Sequence, residues 1–182
     1  MESQRTSVTL HDKTFRPFLS QAHIQEAVVR VAQHVNQHYF GQVPLFLSVL
    51  NGSFMFTSDL LKHIQVPCEV SFVKMASYHG TSSSGQVKHL IGLDEAIAGR
   101  HIVVVEDIVD TGLTIEHLFN LLEPMQPASI EVATLLFKPA AYRGARPIKF
   151  VGLEVGNEFL VGYGLDYNGR GRNLPDLYVV IS

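Results

Sequence analysis

Val103-Val104-Val105-Glu106-Asp107-Ile108-Val109-Asp110-Thr111-Gly112-Leu113-Thr114 runs from an unbroken apolar stretch into three carboxylates, a glycine and two threonines. The apolar part, Ile102 to Val105, has the continuous β-branched character of a strand buried on both faces. Beyond Thr114, Ile115, Leu118, Leu121 and Leu122 predict a helix with one apolar side. Asp110-Thr111-Gly112 with Thr114 is therefore a tight strand-to-helix turn whose backbone N–H groups point into one cavity. The helix N-terminus behind it adds positive potential, so an anionic phosphate is favoured there. Glu106 and Asp107 would repel a phosphate alone, but they suit a sugar's hydroxyls or an oxygen-coordinated magnesium ion. The ligand implied is a phosphorylated sugar with a metal. A solvated strand-end turn remains the alternative for a bare Asp-Thr-Gly.

The pattern repeats on either side. Ser20 caps a predicted helix in which Ile24, Ala27, Val28, Val31 and Val35 form a stripe. Leu45 to Leu50 reads as a buried strand that ends in Asn51-Gly52-Ser53 and is followed by a helical stretch from Phe54 to Ile64. Further strands are predicted at Glu69 to Met75, Ile130 to Phe137, Phe150 to Val155 and Leu177 to Ile181. Ser77 to Gly85 is rich in glycine and hydroxyl residues and reads as a mobile loop. Strand and helix alternate over the first two thirds, which predicts an α/β fold with a mostly parallel central sheet flanked by helices. Ligands then belong at the carboxyl ends of the strands. With no linker or internal repeat, 1–182 reads as one domain, long enough to bury roughly 70% of its unfolded surface.

Composition narrows the function. The chain is 46% hydrophobic and 17% charged, with a formal net charge of −3, so no overall basic field draws nucleic acid. No apolar run approaches the roughly 18 residues that span a bilayer. The polar start lacks a signal-peptide core, and Cys68, the single cysteine, excludes an internal disulfide, so a cytoplasmic address is expected. Cys68 itself reads as a packed thiol rather than a nucleophile. The nine histidines show no zinc-ligand spacing, and neither a Gly-x-x-x-x-Gly-Lys-Ser/Thr loop nor a strand-linked Gly-x-Gly-x-x-Gly is present.

The acidic segment resembles the phosphoribosyl pyrophosphate motif of type I phosphoribosyltransferases, and the chain is similar nearly end to end to their hypoxanthine/guanine branch. The other matching stretches, in the same order, are Val49-Leu50-Asn51-Gly52-Ser53-Phe54, Ala76-Ser77-Tyr78, Leu136-Phe137-Lys138-Pro139 and Glu158-Phe159-Leu160-Val161-Gly162-Tyr163-Gly164-Leu165-Asp166-Tyr167. The resemblance implies the type I fold, with a small hood built from terminal segments. It also implies transfer of a phosphoribosyl group from phosphoribosyl pyrophosphate to a 6-oxopurine, with magnesium, in a homodimer or homotetramer.

Roles follow from the same resemblance. Asp110 matches the general base that handles the proton on the purine's imidazole nitrogens. Glu106 and Asp107 match the pair that holds the ribose hydroxyls, directly or through magnesium. Ile108, Val109, Thr111, Gly112, Leu113 and Thr114 line the 5′-phosphate, and Asn51, Gly52 and Arg172 the pyrophosphate. Phe159 resembles the ring that stacks on the purine, Lys138 the amine that donates to its 6-oxo group, and Leu160 supplies backbone contacts. Asp166 resembles a ligand near a second magnesium, on the pyrophosphate side and next to the base. Ser77 and Tyr78 open a loop implied to close over the site and exclude water.

Two positions depart from the family's pattern. Asn51 stands where many relatives have lysine, which replaces a charge-assisted bond with a weaker neutral one. Leu113 occupies a position that is often basic. Two rivals stay open: a regulatory protein that keeps the fold and binds nucleotide as an effector, and a sister enzyme that prefers xanthine or a pyrimidine.

Overall fold

The computed structural model describes residues 6–77, 88–93 and 96–181. The first helix, α1 (Gln21–His38), starts where Ser20 accepts a hydrogen bond from the His23 backbone N–H at 3.2 Å. Its predicted stripe is fully buried. The second helix, α2 (Phe54–Leu61), stops three residues short of the expected end. There His63 and Ile64 donate to Leu60 and Leu61, three residues back, and tighten the chain into a turn. The third, α3 (Leu113–Leu122), begins one residue before Thr114. It buries Ile115, Leu118, Phe119 and Leu122, whereas Leu121 is only partly buried. Phe119, one position after Leu118, completes the stripe that had been expected to include Leu121, because 3.6 residues per turn places 115, 118, 119 and 122 on one side.

The main sheet contains β3 (Leu45–Leu50), β4 (Glu69–Ser77), β5 (Lys88–Ile91), β6 (His101–Val109), β7 (Ser129–Phe137) and β8 (Phe150–Glu154). Its order is β5-β4-β3-β6-β7-β8, with five parallel strands and β5 antiparallel at one edge. Of the acidic residues expected beyond the apolar strand, Glu106 and Asp107 lie inside β6, which pairs with β7 as far as Val109, and only Asp110 follows it. Alternation divides the core. Phe46, Val103, Val105, Ala133 and Leu135 face α1 and α2, while Leu45, Leu47, Ile102, Val104 and Val132 face α3. Both faces are covered, as a parallel sheet requires.

A second, wholly antiparallel sheet joins the two ends of the chain. It is formed by β1 (Val8–Leu10), β2 (Lys13–Leu19), β9 (Leu160–Val161) and β10 (Leu177–Val180) in the order β1-β2-β10-β9. This is the hood. Leu160, Tyr163, Leu165, Leu177 and Val179 bury themselves in the α1/α2 core, so the hood sits over that side of the main sheet. Cys68 corrects the expectation of a packed thiol: it is exposed, in the loop that enters β4. Of the expected lid, Ser77 closes β4 and Tyr78 lies outside the described residues. Among the described residues no helix is long and apolar enough to cross a membrane.

Candidate active site

Strand order reverses between β3 and β6, since the chain proceeds to β4 on one side and later to β7 on the other. In open parallel sheets the crevice at such a reversal, outside the carboxyl ends of the strands, is where ligands bind. The two loops that open there are Asn51–Ser53 after β3 and Asp110–Gly112 after β6.

The first loop is pinned from below by hydroxyls. Ser48, buried in mid-strand, lies 2.8 Å from Ser53 Oγ and 2.7 Å from Thr57 Oγ1, and Ser53 donates to the Val49 carbonyl at 2.6 Å. A hydroxyl has one proton, so the relay runs from Thr57 through Ser48 and Ser53 to the backbone. Gly52 is required by space: a Cβ there would stand 1.6 Å from Asp107 Oδ2. Asp107 thus reaches across from β6 and rests its carboxylate against the Asn51–Gly52 backbone. The hood closes on the same place, because a Cβ at Gly164 would stand 2.1 Å from the Gly52 carbonyl oxygen, and Gly164 holds φ +100°.

Glu106 is buried and Asp107 partly buried, and the two carboxyls hydrogen-bond to one another. Burial raises both above the ordinary carboxylate range, Glu106 strongly, with the Asp107 charge adding to it. Asp107 also accepts from the Ile108 N–H at 2.8 Å. The positive charge of Arg172 draws Asp107 partly back. Such a pair needs a proton or a cation. Among the described residues no three His, Cys, Asp or Glu side chains converge as a metal cage would. Magnesium does not need one, since it characteristically takes one or two carboxylates and completes its shell with substrate oxygens and water. The donor set fits that ion.

Two adjoining cavities occupy the crevice. One, about 80 Å³, is walled by Glu106 and by Ile108 through Ile115, the turn that the sequence pointed to. Gly112 holds φ +89° at the start of α3, where unpaired N–H groups face outward. Leu113 is 72% exposed and adds bulk to the rim without a polar contact. The other cavity, about 200 Å³, is lined by Asp107, Ile108, Asp110, Lys138, Phe159, Leu160, Leu165 and Asp166. Lys138, at the end of β7, ion-pairs with Asp110 at 2.9 Å; the lysine side chain is 9% exposed and the carboxylate 49%. A buried ammonium held by a half-exposed carboxylate can turn part of its donor capacity to a ligand acceptor. Phe159 is 46% exposed towards this cavity, and its ring is supported by Phe15 at 6.3 Å and Tyr167 at 5.9 Å.

Arg172 and Asp166 pair with one another at 2.6 Å in the hood. Arg172 also donates to the Gly164 carbonyl at 2.6 Å, and Asp166 accepts from the Gly169 N–H at 2.6 Å. Both lie beside the glycine contact with the Asn51 loop. The structure therefore brings the singled-out residues of the acidic turn, the Asn51 loop, Lys138 and the hood to one crevice, whereas of the lid pair Ser77 is described only as the end of β4 and Tyr78 lies outside the described residues. Sequence reasoning missed Leu165 as a wall of the larger cavity, the Ser48 relay and the support of Phe159 by Phe15 and Tyr167. A lone serine inside the apolar Leu45–Leu50 run was the available signal for the relay; the ring cluster had none.

Residues 18–168 match the phosphoribosyl transferase domain model, and the chain belongs to that family. Over 163 residues it is 40% identical to the hypoxanthine-guanine phosphoribosyltransferase of Bacillus subtilis, a match that covers 89% of this chain and 91% of that one. The structure of a hypoxanthine phosphoribosyltransferase from Staphylococcus aureus aligns with a TM-score of 0.83 at 33% identity, over 91% of each chain. The bifunctional protein TilS/HprT of Listeria innocua is 39% identical over 168 residues, which is 92% of this chain but 26% of that protein.

Proposed function

We propose that this protein transfers the 5-phosphoribosyl group of phosphoribosyl pyrophosphate to hypoxanthine or guanine, releasing pyrophosphate and forming IMP or GMP for purine salvage. The observation that carries the reading is the larger cavity, where a carboxylate, a buried ammonium and a half-exposed aromatic ring converge beside the phosphate-sized turn. A flat base with a carbonyl acceptor suits those groups together. Phe159 stacks on the ring, and Lys138 donates to the 6-oxo oxygen. Adenine offers an amino donor at that position and leaves the buried ammonium unmatched, a mismatch that sites of this kind reject strongly.

Chemistry follows from placement. The bond from ribose C1′ to the pyrophosphate oxygen breaks as the bond to the purine nitrogen forms, and Asp110 takes the proton that the purine's imidazole ring loses. Thr111, Gly112 and Thr114 fix the 5′-phosphate at the start of α3, while Glu106 and Asp107 hold the ribose hydroxyls. Glu106 and Asp107, with Asp166, would hold magnesium, which would supply neutralisation of the pyrophosphate charge. Asn51, Gly52 and Arg172 receive the leaving pyrophosphate, with Asn51 giving a neutral bond. Reaching pyrophosphate requires Arg172 to loosen or share its pairing with Asp166. A cytoplasmic address goes with this reading, because the exposed thiol of Cys68 suits a reducing compartment. A homodimer or homotetramer is part of it, supported by the exposed apolar side chains Phe54, Val70 and Phe72.

The test is nucleotide formation from phosphoribosyl pyrophosphate with hypoxanthine, guanine, xanthine, adenine and uracil in parallel, with and without magnesium. Asp110→Asn serves as the control. Hypoxanthine and guanine should turn over, and the variant should lose ~10² to 10⁴ in rate while still binding nucleotide. Turnover of xanthine or uracil alone would move the assignment to a sister enzyme. Binding without turnover of any base would move it to a regulatory protein.

A further inference from the structure

The turn that walls the smaller cavity is held from outside by residues 138–146 between β7 and β8, of which the reaction scheme uses only the Lys138 side chain. Three contacts staple it to the turn. The Lys138 N–H donates to the Val109 carbonyl at 2.9 Å, and the Arg143 N–H donates to the Thr111 carbonyl at 3.0 Å. Between them, the ring of Tyr142 lies flush on Gly112: the three atoms nearest to where a Gly112 Cβ would stand all belong to that ring, the closest at 2.5 Å. Gly112 holds φ +89°, so glycine serves two ends here, a left-handed backbone and room for an aromatic ring.

The ring is itself fixed. It meets Phe137, the last residue of β7, edge to face at 5.3 Å, and its hydroxyl donates to the Arg146 carbonyl at 2.5 Å. The Arg146 guanidinium lies 4.3 Å over the Phe119 ring and pairs with Glu123 at 2.8 Å, which ties the far end of the segment to the α3 region. Tyr142 is thus clamped between the end of β7 and α3, with its ring against the one glycine whose orientation sets where the N–H groups of the turn point.

We infer that Tyr142 is a positioning residue for the 5′-phosphate cradle, acting through its ring on Gly112. The inference rests on the transferase reading of the site. It places phosphoribosyl pyrophosphate binding, and not purine binding, under the control of Tyr142, because the purine cavity contains neither Tyr142 nor Gly112. The ring makes the contact, so phenylalanine should serve in place of tyrosine.

The test compares wild type, Tyr142→Ala, Tyr142→Leu and Tyr142→Phe. Initial rates are measured with each substrate varied in turn, alongside thermal melting and calorimetric binding of ribose 5-phosphate. Misplacement by 1 Å can cost ~10²-fold, so a partly relaxed turn should raise the KM for phosphoribosyl pyrophosphate about tenfold in Tyr142→Ala, with the KM for hypoxanthine changed less than about twofold. Tyr142→Phe should restore the first value. Should the alanine variant fail to fold, Tyr142→Leu must show the same split. A parallel rise in both KM values, an unmoved KM for phosphoribosyl pyrophosphate, or a phenylalanine variant as impaired as alanine would overturn the inference. If wild type transfers to no purine, the functional reading fails by itself. Loss of ribose 5-phosphate affinity in Tyr142→Ala, with recovery in Tyr142→Phe, still decides the role of the ring.

Discussion

The two cavities of the crevice are built in opposite ways. The smaller one is walled by Glu106 and the unbroken run 108–115, so one strand end and one helix start make nearly all of it. The larger one takes its walls from the ends of β6 and β7 and from the hood, residues 107 to 166. A site made of consecutive residues inherits its shape from local turn geometry. A site assembled across two sheets holds its shape only while those sheets stay docked. The first suits a ligand part common to many substrates, the ribose phosphate; the second suits the part that must be told apart, the base.

The comparison is open to attack through single residues. Replacing the stacking ring, Phe159→Ala, should strike the assembled cavity alone. Base–aromatic stacking is worth ~1–3 kcal/mol, so the KM for hypoxanthine should rise about fivefold to 150-fold. The KM for phosphoribosyl pyrophosphate should stay nearly constant in the same steady-state assay, and a matching rise would show that the two cavities are not separable.

A smaller effect, of opposite sign for stability and activity, is expected at the carboxyl pair. Glu106 has its pKa raised on folding, so it stabilises the fold while protonated and that contribution is lost as pH rises through the folded pKa. Glu106→Gln removes the burden of a buried charge. It should raise Tm by about 2–4 °C near neutral pH, the shift that ~1 kcal/mol produces in a chain of this size, and the gain should shrink as pH falls into the ordinary carboxylate range. Transfer activity should fall together with that gain. Melting curves across pH without magnesium, read beside turnover, check it.

The least effect concerns the anchor of the hood. Asp59 on α2 accepts from Tyr163 of the hood at 2.5 Å, from Gln25 of α1 at 2.6 Å and from Lys62 at 2.7 Å. Burial alone would raise its pKa, but these donors outweigh burial and hold it below the usual value. Its contribution is therefore present above the ordinary carboxylate pKa and is lost as pH falls through the folded pKa. Asp59→Asn should lower Tm at neutral pH and make the acid limb of the stability profile shallower. The KM for hypoxanthine should drift upward slightly, because the hood carries Phe159. Thermal melts from neutral to acid pH, with the base KM measured in parallel, test whether the hood and its cavity loosen together.

Legibility in the sequence divides along the same line. The run Val103 to Thr114 was readable because its information is local: β-branched residues make the strand, Gly112 takes the left-handed bend, and apolar spacing makes the helix. The strand's true extent was less visible, since polar Glu106 and Asp107 look like loop although β7 pairs with Glu106 and again with Ile108 and Val109. The hood strands β1, β2 and β9 had no bounds readable from pattern, although the family resemblance implied a hood of terminal segments. Lys13–Leu19 lacks clean alternation and contains Pro17, and Leu160–Val161 is too short to signal a strand. The purine-site residues were marked by family resemblance rather than by pattern, because a phenylalanine and a lysine carry no local mark of a shared cavity.

What the sequence determined by itself was each element that backbone and side-chain periodicity can write into neighbouring residues: the helix stripes, the buried parallel strands and the phosphate-sized turn. Only the tertiary structure decided which distant groups meet. It set Lys138 against Asp110 and Asp107 against Gly52, and it laid Tyr142 on Gly112. The physical reason is one of range. Turns and periodic faces are fixed by sterics over a few bonds, whereas these contacts exist because burying both faces of one sheet forces the loops at its carboxyl edge, and the hood above them, into the same few ångströms.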